Sequence, residues 1–325
     1  MTATSSTRRK QPSEARISVV LPVYNEKDVL DSLHRQVVSA LKTTGSRYEI
    51  IFVDDGSQDG SSERLDALAE RDTQVRVLHL SRNFGHQAAV QAGLSHASGD
   101  AVAVMDSDLQ DDPGSLPRLI DKWQEGYDIV YAVRTGRKEG LISRLCFFLF
   151  YRLLNMIARL SMPTDAGNFS VLDRRAADQI AGLADRDRYF AGLRWWVGFR
   201  QTGVEVERGE RYDQRPRVSF IGLLRLAKTA ILSFSTLPLT IFFVLAFVSM
   251  LTFVALGSFT LYHKLFTGKA IAGWTSILLT ASFFGAINSL GIGMLGEYVL
   301  RIYDQVRARP MYIVRERVDF GSNGK

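Results

Sequence analysis

Two aspartates, Asp106 and Asp108, have the clearest capacity for chemistry in this sequence. They follow a short apolar run, Ala101–Met105, that predicts a buried strand. Residues two apart on an extended chain point the same way, so both carboxylates would face one side. Such a pair repels itself unless a cation lies between the two acids, and oxygen ligands select Mg²⁺ or Mn²⁺. The amide oxygen of Gln110 adds a neutral candidate ligand; the alternative is a pair of acids in a solvated surface loop.

The elements that must position this pair alternate along the first half of the chain. Apolar, β-branched runs predict strands at Ile17–Leu21, Ile50–Val53, Val75–Leu80, Ala101–Met105 and Ile129–Ala132. Helical stretches lie between them, at Glu26–Leu41, Ser61–Glu70 and Gln87–Ala97. Strands that are apolar on both faces and joined by helices indicate an α/β fold with a parallel sheet covered on both sides. Ligands of such sheets bind beyond the carboxyl ends of the strands.

Polar residues follow the first two predicted strands, in Leu21–Glu26 and Val53–Ser57. Both segments lie where a nucleotide binds in this architecture. Asn25 and Ser57 have a second reading, as caps of the helices that follow. The chain lacks both G-x-G-x-x-G after the first strand and G-x-x-x-x-G-K-[ST]. An NAD-linked oxidoreductase and a P-loop enzyme are therefore disfavoured, and phosphate would be held by metal and arginine.

Two long stretches without charge, 229–262 and 270–296, are each long enough to cross a bilayer as a helix. They predict transmembrane helices at about 233–262 and 270–296; two buried core helices are the alternative. Arginines flank the pair on both outer sides, whereas the loop between the two stretches carries only Lys264 and Lys269. The positive-inside rule then predicts that both termini and the large domain are cytoplasmic. A basic stripe on an apolar helix over 141–160 indicates either an interfacial helix or a core helix with an arginine edge.

Composition sets the remaining bounds. The 325 residues carry a net charge of +6, and the excess beside the predicted spans indicates anionic lipid headgroups rather than nucleic acid. Cys146 is the single cysteine, which excludes an intrachain disulfide. We expect a basic disordered tail at 1–15, without a signal peptide, and a cytoplasmic catalytic domain at 16–220. A juxtamembrane helix and the two spans at 221–300 and a cytoplasmic tail at 301–325 complete the expected organisation.

Three segments of the chain are Ser18–Glu26 (SVVLPVYNE), Val53–Gly60 (VDDGSQDG) and Met105–Gln110 (MDSDLQ). Together they resemble the family 2 glycosyltransferases, which have a GT-A fold. Further segments resemble the polyprenyl-phosphate glycosyltransferases, a group that includes bactoprenol glucosyl transferases and, more distantly, dolichol-phosphate mannose synthases. They are Ser81–His86 (SRNFGH), Asp165–Phe169 (DAGNF), Leu295–Tyr298 (LGEY) and Arg309-Pro310. The likeness covers nearly the whole chain after the tail.

The resemblance implies roles for individual residues. It implies that the nucleotide is held by Pro22, Tyr24, Asn25, Glu26, Asp54, Asp55 and Asp106, with Arg82 on the pyrophosphate. It implies that a Mg²⁺ or Mn²⁺ ion is held by Asp106, Asp108 and Gln110. The acceptor phosphate would meet Arg134, Arg215 and Arg217. Asp165 would act beside Asp108 and Arg134 in catalysis, either as a base or as a group that orients the acceptor.

The implied reaction is metal-dependent, inverting transfer of a sugar from a nucleotide donor to a polyprenyl phosphate, undecaprenyl or dolichyl, at the cytoplasmic face of the inner membrane. The resemblance favours glucose from UDP-glucose as the transferred sugar, with mannose, N-acetylglucosamine and a modified arabinose as alternatives. A catalytically inactive membrane scaffold is the alternative function, and the oligomeric state, including a homo-oligomer, is left undecided. A processive polysaccharide synthase is disfavoured because Ala191 replaces the glutamine of Q-x-x-R-W. The chain also departs from the common G-D-F-R at Gly167–Ser170 (GNFS) and from G-x-S-K-Y at Arg215–Phe220 (RPRVSF).

Overall fold

The computed structural model describes residues 14–135, 166–183, 185, 188–207, 237–262, 265–266 and 273–320. These residues form two compact units, one built on a β-sheet that includes 310–320 and one made of the helices within 228–309. The predicted tail at 1–15, apart from its last two residues, the predicted interfacial helix at 141–160, and Asp165, Arg215 and Arg217 lie outside the described residues.

The first unit contains an eight-stranded mixed sheet. The strands are β1 Arg16–Val23, β2 Arg47–Asp54, β3 Val75–Leu80, β4 Ala101–Val104, β5 Ile129–Thr135, β6 Ala166–Asp173, β7 Gln201–Glu207 and β8 Val314–Val318. The helices are α1 Leu30–Thr43, α2 Ser61–Arg71, α3 His86–His96, α4 Leu116–Gln124, α5 Arg174–Gly182 and α6 Phe190–Trp196, with a 3₁₀ turn at Pro113–Ser115. The strand order is β7-β5-β6-β4-β1-β2-β3-β8.

The prediction of a wholly parallel sheet was wrong at two strands. The central strands β4, β1, β2 and β3 are parallel, as are β5 and β7. Strand β6 is antiparallel to both β4 and β5, and β8 is antiparallel to β3. Neither strand has a continuous apolar run: β6 begins Ala-Gly-Asn, and β8 exposes Arg315, Glu316 and Arg317. Charged side chains of this kind protect an edge strand from pairing with another chain.

The central strands are apolar because helices cover both faces of the sheet. Seven of the eight β1 residues are buried. On one face Val19, Leu21 and Phe52 belong to the core that contains Leu33 of α1 and Leu65 of α2. On the other face α3 packs so closely that a Cβ added at Gly93 would lie 2.1 Å from Cγ1 of Val20. The glycine is therefore needed for the approach of α3 to β1.

The last described residues return to the sheet unit. Strand β8 pairs with β3, and the backbone N–H of Ser81 donates to the carbonyl of Ile313 at 2.9 Å. Beyond β8, the ring of Phe320 meets His96 edge-on at 5.8 Å and lies under the guanidinium of Arg76 at 5.3 Å. Residues 314–318, which fall in the segment expected to be a tail, thus form the edge of the sheet.

The second unit consists of two long helices, α7 Leu237–Tyr262 and α8 Trp274–Val306. Within the described residues, one segment, Phe283–Val306 of α8, is long and apolar enough to cross a membrane; Val244–Ala255 of α7 is a shorter apolar helix. The α8 segment starts later than the predicted 270–296 and runs past Glu297 and Arg301. Large apolar side chains on both helices, such as Phe253 and Leu295, are exposed.

Candidate active site

The carboxyl ends of the central strands bring most of the predicted site residues to one edge of the sheet. Parallel β4, β1 and β2 end at Val104, Val23 and Asp54, so the segments that follow them are neighbours. Because β6 is antiparallel to both β4 and β5, β5 runs in the same direction as β4 and its end lies at this edge. Arg134 is the penultimate residue of β5 and pairs in register with Val206.

The loops after β1 and β2 are joined by hydrogen bonds. The backbone N–H of Asn25 donates to Oγ of Ser57 at 3.0 Å, and the side-chain Oδ1 of Asn25 accepts from the backbone of Gln58 at 2.8 Å. The backbone N–H of Glu26 donates to Oγ of Ser61 at 3.0 Å. Asn25 has a left-handed φ of 56°, and Tyr24 beside it is exposed. These contacts explain why α1 starts at Leu30 and not at Glu26 as predicted.

Asp54, the last residue of β2, is buried and surrounded by donors. Its Oδ1 accepts from the backbone of Ser57 at 2.9 Å, and its Oδ2 accepts from Oγ of Ser62 at 2.6 Å. Nδ1 of His79 on β3 lies 2.9 Å from the same Oδ2. Burial alone would raise the pKa of Asp54, but these hydrogen bonds, led by that from His79, outweigh it and lower the pKa to about 2. Asp54 is therefore an ionised group that holds the loop after β2.

Asp55 holds a different loop. Its two carboxylate oxygens accept from the backbone N–H groups of Phe84 and Gly85, at 2.7 and 2.8 Å. Burial nevertheless raises the pKa of Asp55 above its ordinary value. Gly56 comes next, with a φ of 70°, and a Cβ there would lie 2.6 Å from the carbonyl carbon of Arg82. The loop after β2 therefore touches the loop after β3, where the exposed Arg82 stacks its guanidinium 4.1 Å from the ring of Phe84.

The segment after β4 bends instead of continuing as an extended chain. Oγ of buried Ser107 donates to the carbonyl of Pro22 at 2.8 Å, and Leu109 has a left-handed φ of 58°. Asp106 and Asp108 are both partly exposed, and Oδ1 of Asp108 accepts from the backbone of Gln110 at 3.2 Å. The side chain of Gln110 is buried. The paired acids thus lie at the sheet edge, beside the loop after β1.

Two residues outside the predicted site set lie against Asp106. Nε2 of His86, at the start of α3, is 3.4 Å from Oδ1 of Asp106. The amide Nδ2 of Asn168 on β6 lies 3.4 Å from the same oxygen and 2.9 Å from Nε2 of His86. Within the described part of the chain, no three His, Cys, Asp or Glu side chains form a metal-binding cluster. Oxygen donors from Asp106 and Asp108 are what the site offers to a hard cation.

A buried arginine supports the start of β6. Arg194 of α6 donates from Nη1 to the carbonyl of Gly167 at 3.0 Å, and its guanidinium lies 5.0 Å from the ring of Tyr131. Burial lowers the pKa of Arg194 to about 10. This contact fixes the backbone next to Asn168 and so bears on the neighbourhood of Asp106.

Sequence reasoning gave His79, His86 and Asn168 no site role. His79 carried one signal: it alternates with Val75 and Val77 on β3 and is therefore a polar residue on an inward face. Nothing in the sequence pattern predicts the contact of His86 with Asp106, because α3 and β4 meet only in the fold.

Carboxylates and polar loops therefore meet beyond the carboxyl ends of the parallel strands, where α/β proteins bind their ligands. Residues 18–181 match the model of the glycosyl transferase family 2. The chain is 39% identical over 300 residues to the uncharacterized glycosyltransferase YkcC of Bacillus subtilis (strain 168), covering 92% of this chain and 93% of that protein. The chain therefore belongs to glycosyl transferase family 2; it is a glycosyltransferase, and its mixed α/β sheet is GT-A-like.

A second relative is the bactoprenol glucosyl transferase of Shigella phage SfII. It is 37% identical over 303 residues, which are 93% of this chain and 98% of that protein. Among solved structures, the glucosyl-3-phosphoglycerate synthase of Mycobacterium tuberculosis in complex with phosphoglyceric acid is similar at a TM-score of 0.47 and 22% identity. That match covers 68% of this chain and 80% of that one.

Proposed function

We propose that the protein transfers a hexose, glucose from UDP-glucose, to a polyprenyl phosphate at the cytoplasmic face of the inner membrane. The observation that carries the proposal is the end-to-end similarity to the bactoprenol glucosyl transferase of phage SfII, which includes the helical unit. A match restricted to the sheet unit would support only the binding of a nucleotide sugar and not the choice of a lipid acceptor. The helices at 237–262 and 274–306 lie within the matched length and suit a lipid acceptor.

The donor would lie across the carboxyl ends of β1, β2 and β4. Tyr24 is exposed there on a loop fixed by Ser57, and Arg82 is exposed on the loop that Gly56 contacts. We assign the nucleotide to Pro22, Tyr24, Asn25, Glu26 and Asp106, and the pyrophosphate to Arg82. We assign Asp54 and Asp55 an indirect role: they hold the loops that bind the nucleotide, because each accepts hydrogen bonds from a loop through both of its oxygens.

We propose that Asp106 and Asp108 hold a Mg²⁺ or Mn²⁺ ion. Their oxygen donors are partly exposed at the strand end, which fits a hard cation that also accepts phosphate oxygens. Gln110, whose side chain is buried, would add a neutral oxygen ligand. When bound, the ion supplies positive charge against the charge that develops on the departing nucleoside diphosphate.

The reaction requires one bond to form and one to break. An oxygen of the lipid phosphate attacks the anomeric carbon from the side opposite the nucleotide, the bond from that carbon to the β-phosphate oxygen breaks, and the configuration inverts. Arg134 at the end of β5, with Arg215 and Arg217, would bind the acceptor phosphate. Because that phosphate is already anionic near pH 7, Asp165 orients the acceptor instead of removing a proton. If Asp165 were a base, the wild-type pH–rate profile would show an ionisation that Asp165→Asn lacks.

We propose that both α7 and α8 cross the membrane. Alpha-helix α7 has 26 residues without a charged side chain, and both helices expose large apolar residues of the kind that face lipid. Cytoplasmic termini follow from the arginines outside the two helices. A reporter attached after Lys325 should be accessible only from the cytoplasmic side, and accessibility from the opposite side would reverse the topology.

The function is tested with membranes that contain the full chain. They are given undecaprenyl phosphate and, in parallel, radiolabelled UDP-glucose, UDP-N-acetylglucosamine and GDP-mannose, and the organic-solvent extract is analysed by mass spectrometry. We expect a glucosyl lipid from UDP-glucose that disappears in excess chelator and returns with Mn²⁺ or Mg²⁺. Transfer from another donor would show that the proposed sugar is wrong. Undiminished turnover in excess chelator would show that the reaction needs no metal ion. The absence of a lipid product from every donor would contradict the proposed function itself.

A further inference from the structure

A buried histidine links the donor edge of the sheet to its surface. His79 is the fifth residue of β3 and the register partner of Asp54 on β2, and both side chains are about 1% exposed. Nδ1 of His79 lies 2.9 Å from Oδ2 of Asp54, and Nε2 lies 2.9 Å from Oδ1 of Asp66 on α2. His79 therefore bridges two carboxylates, of which Asp66 is about half exposed.

The two short contacts determine the protonation of the ring. An ionised carboxylate only accepts hydrogen bonds, so each ring nitrogen at 2.9 Å must carry a proton to make a favourable contact. A neutral imidazole has one N–H group and would leave one carboxylate facing a lone pair. Both nitrogens are donors only in the imidazolium. The arrangement thus requires a buried cation between Asp54 and Asp66.

The contacts continue from His79 to the proposed nucleotide loop. Asp54 accepts from the backbone of Ser57, and Oγ of Ser57 accepts from the backbone of Asn25, next to Tyr24. We refer to Asp66, His79, Asp54, Ser57 and Asn25 as the Asp54 network. The Asp54 network thus runs from α2 through β3 and the end of β2 to the loop after β1.

We propose that His79 is a positioning residue that, as an imidazolium, holds Asp54 and through it the loop that binds the donor nucleotide. The inference rests on the proposed function in taking a nucleotide sugar as the ligand of this loop. His79 does not touch that ligand; it sets the charge and the position of the groups that do. Loss of its proton would leave Asp54 or Asp66 against a bare nitrogen and loosen the loop.

The charged groups around His79 support the same protonation state. Asp54 faces it from β2 and Asp66 from α2, and Glu316 of β8, exposed, is its register partner on the other side. Helix α3 packs on the opposite face of the sheet, against Val20. Burial lowers the pKa of His79, but its two carboxylate partners outweigh burial and raise the pKa above 6.5. Donor affinity is therefore highest while His79 is protonated and falls as the pH rises through the raised pKa of His79.

Two measurements on the full chain test the inference. The first is the ¹⁵N NMR spectrum of the histidine side chains, in which the His79 signals are identified by their loss in His79→Gln. This measurement needs neither the donor nor the acceptor. We expect both ring nitrogens of His79 to be protonated at pH 7, and Asp66→Asn to lower the pH at which one proton is lost. A ring with one unprotonated nitrogen at pH 7 would overturn the proposal.

The second measurement is the KM for UDP-glucose against pH. In the wild type we expect KM to rise about tenfold across the deprotonation of His79, while kcat changes little, because a hydrogen bond to a charged group is lost from the donor site only. Asp66→Asn, a change at a half-exposed position, should move that rise to lower pH without preventing folding. His34→Gln is the matched control, since His34 pairs with one carboxylate, that of Asp72, through Nε2.

The outcomes separate the two proposals. A KM profile identical in wild type and Asp66→Asn, or equally shifted by His34→Gln, would refute a positioning role for His79. If UDP-glucose is not the donor, the KM measurement is made with the donor found in the sugar panel, and the nitrogen spectra remain decisive for His79.

Discussion

The acids at the end of β2 and the acids that follow β4 lie at the same edge of the sheet and have opposite surroundings. Asp54 and Asp55 are no more than 2% exposed, and together they accept hydrogen bonds from Ser57, Ser62, His79, Phe84 and Gly85. The side chain of Asp106 is 27% exposed, and its contacts with His86 and Asn168 are long, at 3.4 Å. Carboxylates whose oxygens are all engaged shape a site, whereas partly exposed ones are available to bind a ligand.

The largest expected effect is on the β4 side. Asp108→Asn should lower sugar transfer by roughly 10²–10³-fold or more, because it removes one carboxylate from the proposed Mg²⁺ or Mn²⁺ site. The melting temperature should stay within about 2 °C of the wild type, as expected for a change at a partly exposed site.

The control is Asp112→Asn, at an exposed acid four residues further on whose Oδ1 accepts from the backbone of Gly114. Asparagine keeps that acceptor, so we expect wild-type transfer. An Asp108→Asn protein that is active, or that unfolds more easily than the Asp112→Asn protein, would erase the distinction between the two sets of acids.

On the β2 side, the main effect should be on stability. Asp54→Asn leaves the buried His79 cation facing an amide and removes an acceptor from Ser62, at a cost of about 3–5 kcal/mol. For a domain of this size, that cost corresponds to a melting temperature lower by roughly 10 °C. Differential scanning fluorimetry of the purified chain measures it, and a loss of transfer without any loss of stability would place Asp54 among the ligand-binding acids.

Gly56 tests the contact between the loops that follow β2 and β3, which lie at the proposed donor site. Gly56→Ala must fit a Cβ 2.6 Å from the backbone of Arg82 at a φ of 70°, which should cost roughly 1–3 kcal/mol and raise the KM for the donor. Gly45→Ala is the matched control, because Gly45 has a φ of 68° and nothing within 4 Å of the added Cβ. Equal effects of the two substitutions would mean that backbone strain, and not the contact with Arg82, accounts for the loss.

The smallest expected effect is the dependence of stability on acid pH. The folded pKa of Asp54 is depressed to about 2, so its contribution to stability is present above its ordinary pKa and is lost as the pH falls through about 2. Between pH 5 and 2.5 the melting temperature of the wild type should fall by a few degrees more than that of Asp54→Asn. Parallel curves for the two proteins would show that Asp54 keeps an ordinary pKa.

Much of the sheet could be predicted from sequence, and the reasons differ by element. Strand β3 was predicted with its observed bounds because its buried residues are nearly continuous between polar turns. Strand β7 was missed although Val204 and Val206 alternate with polar residues, a period-two pattern in a strand with one buried face. Strand β8 was missed because its charges suit solvent and its pairing with β3 depends on a contact across more than 200 residues.

The positions of the candidate site residues along the sheet were predicted, but their contacts were not. The rule that ligands lie beyond the carboxyl ends of parallel strands located Asp54, Asp106 and Asp108 correctly at one edge. The burial of Asp54 depends on His79 and Ser62, which local patterns do not connect to it. The assumption of an extended chain at Asp106–Asp108 was also wrong, because the backbone bends at Ser107, Asp108 and Leu109.

The position of β8 has a consequence for synthesis. Its partner β3 is complete by Leu80, but β8 begins at Val314, so about 230 residues, including both long helices, are translated between the two strands. At a translation rate of about 5–20 residues per second, the ribosome takes roughly 10–50 s to synthesise the residues between β3 and β8. During that time one edge of β3 stays unpaired in the nascent chain, and chaperones or ribosome-associated factors can reach it. The catalytic sheet of this protein is completed only after its hydrophobic helices have been made.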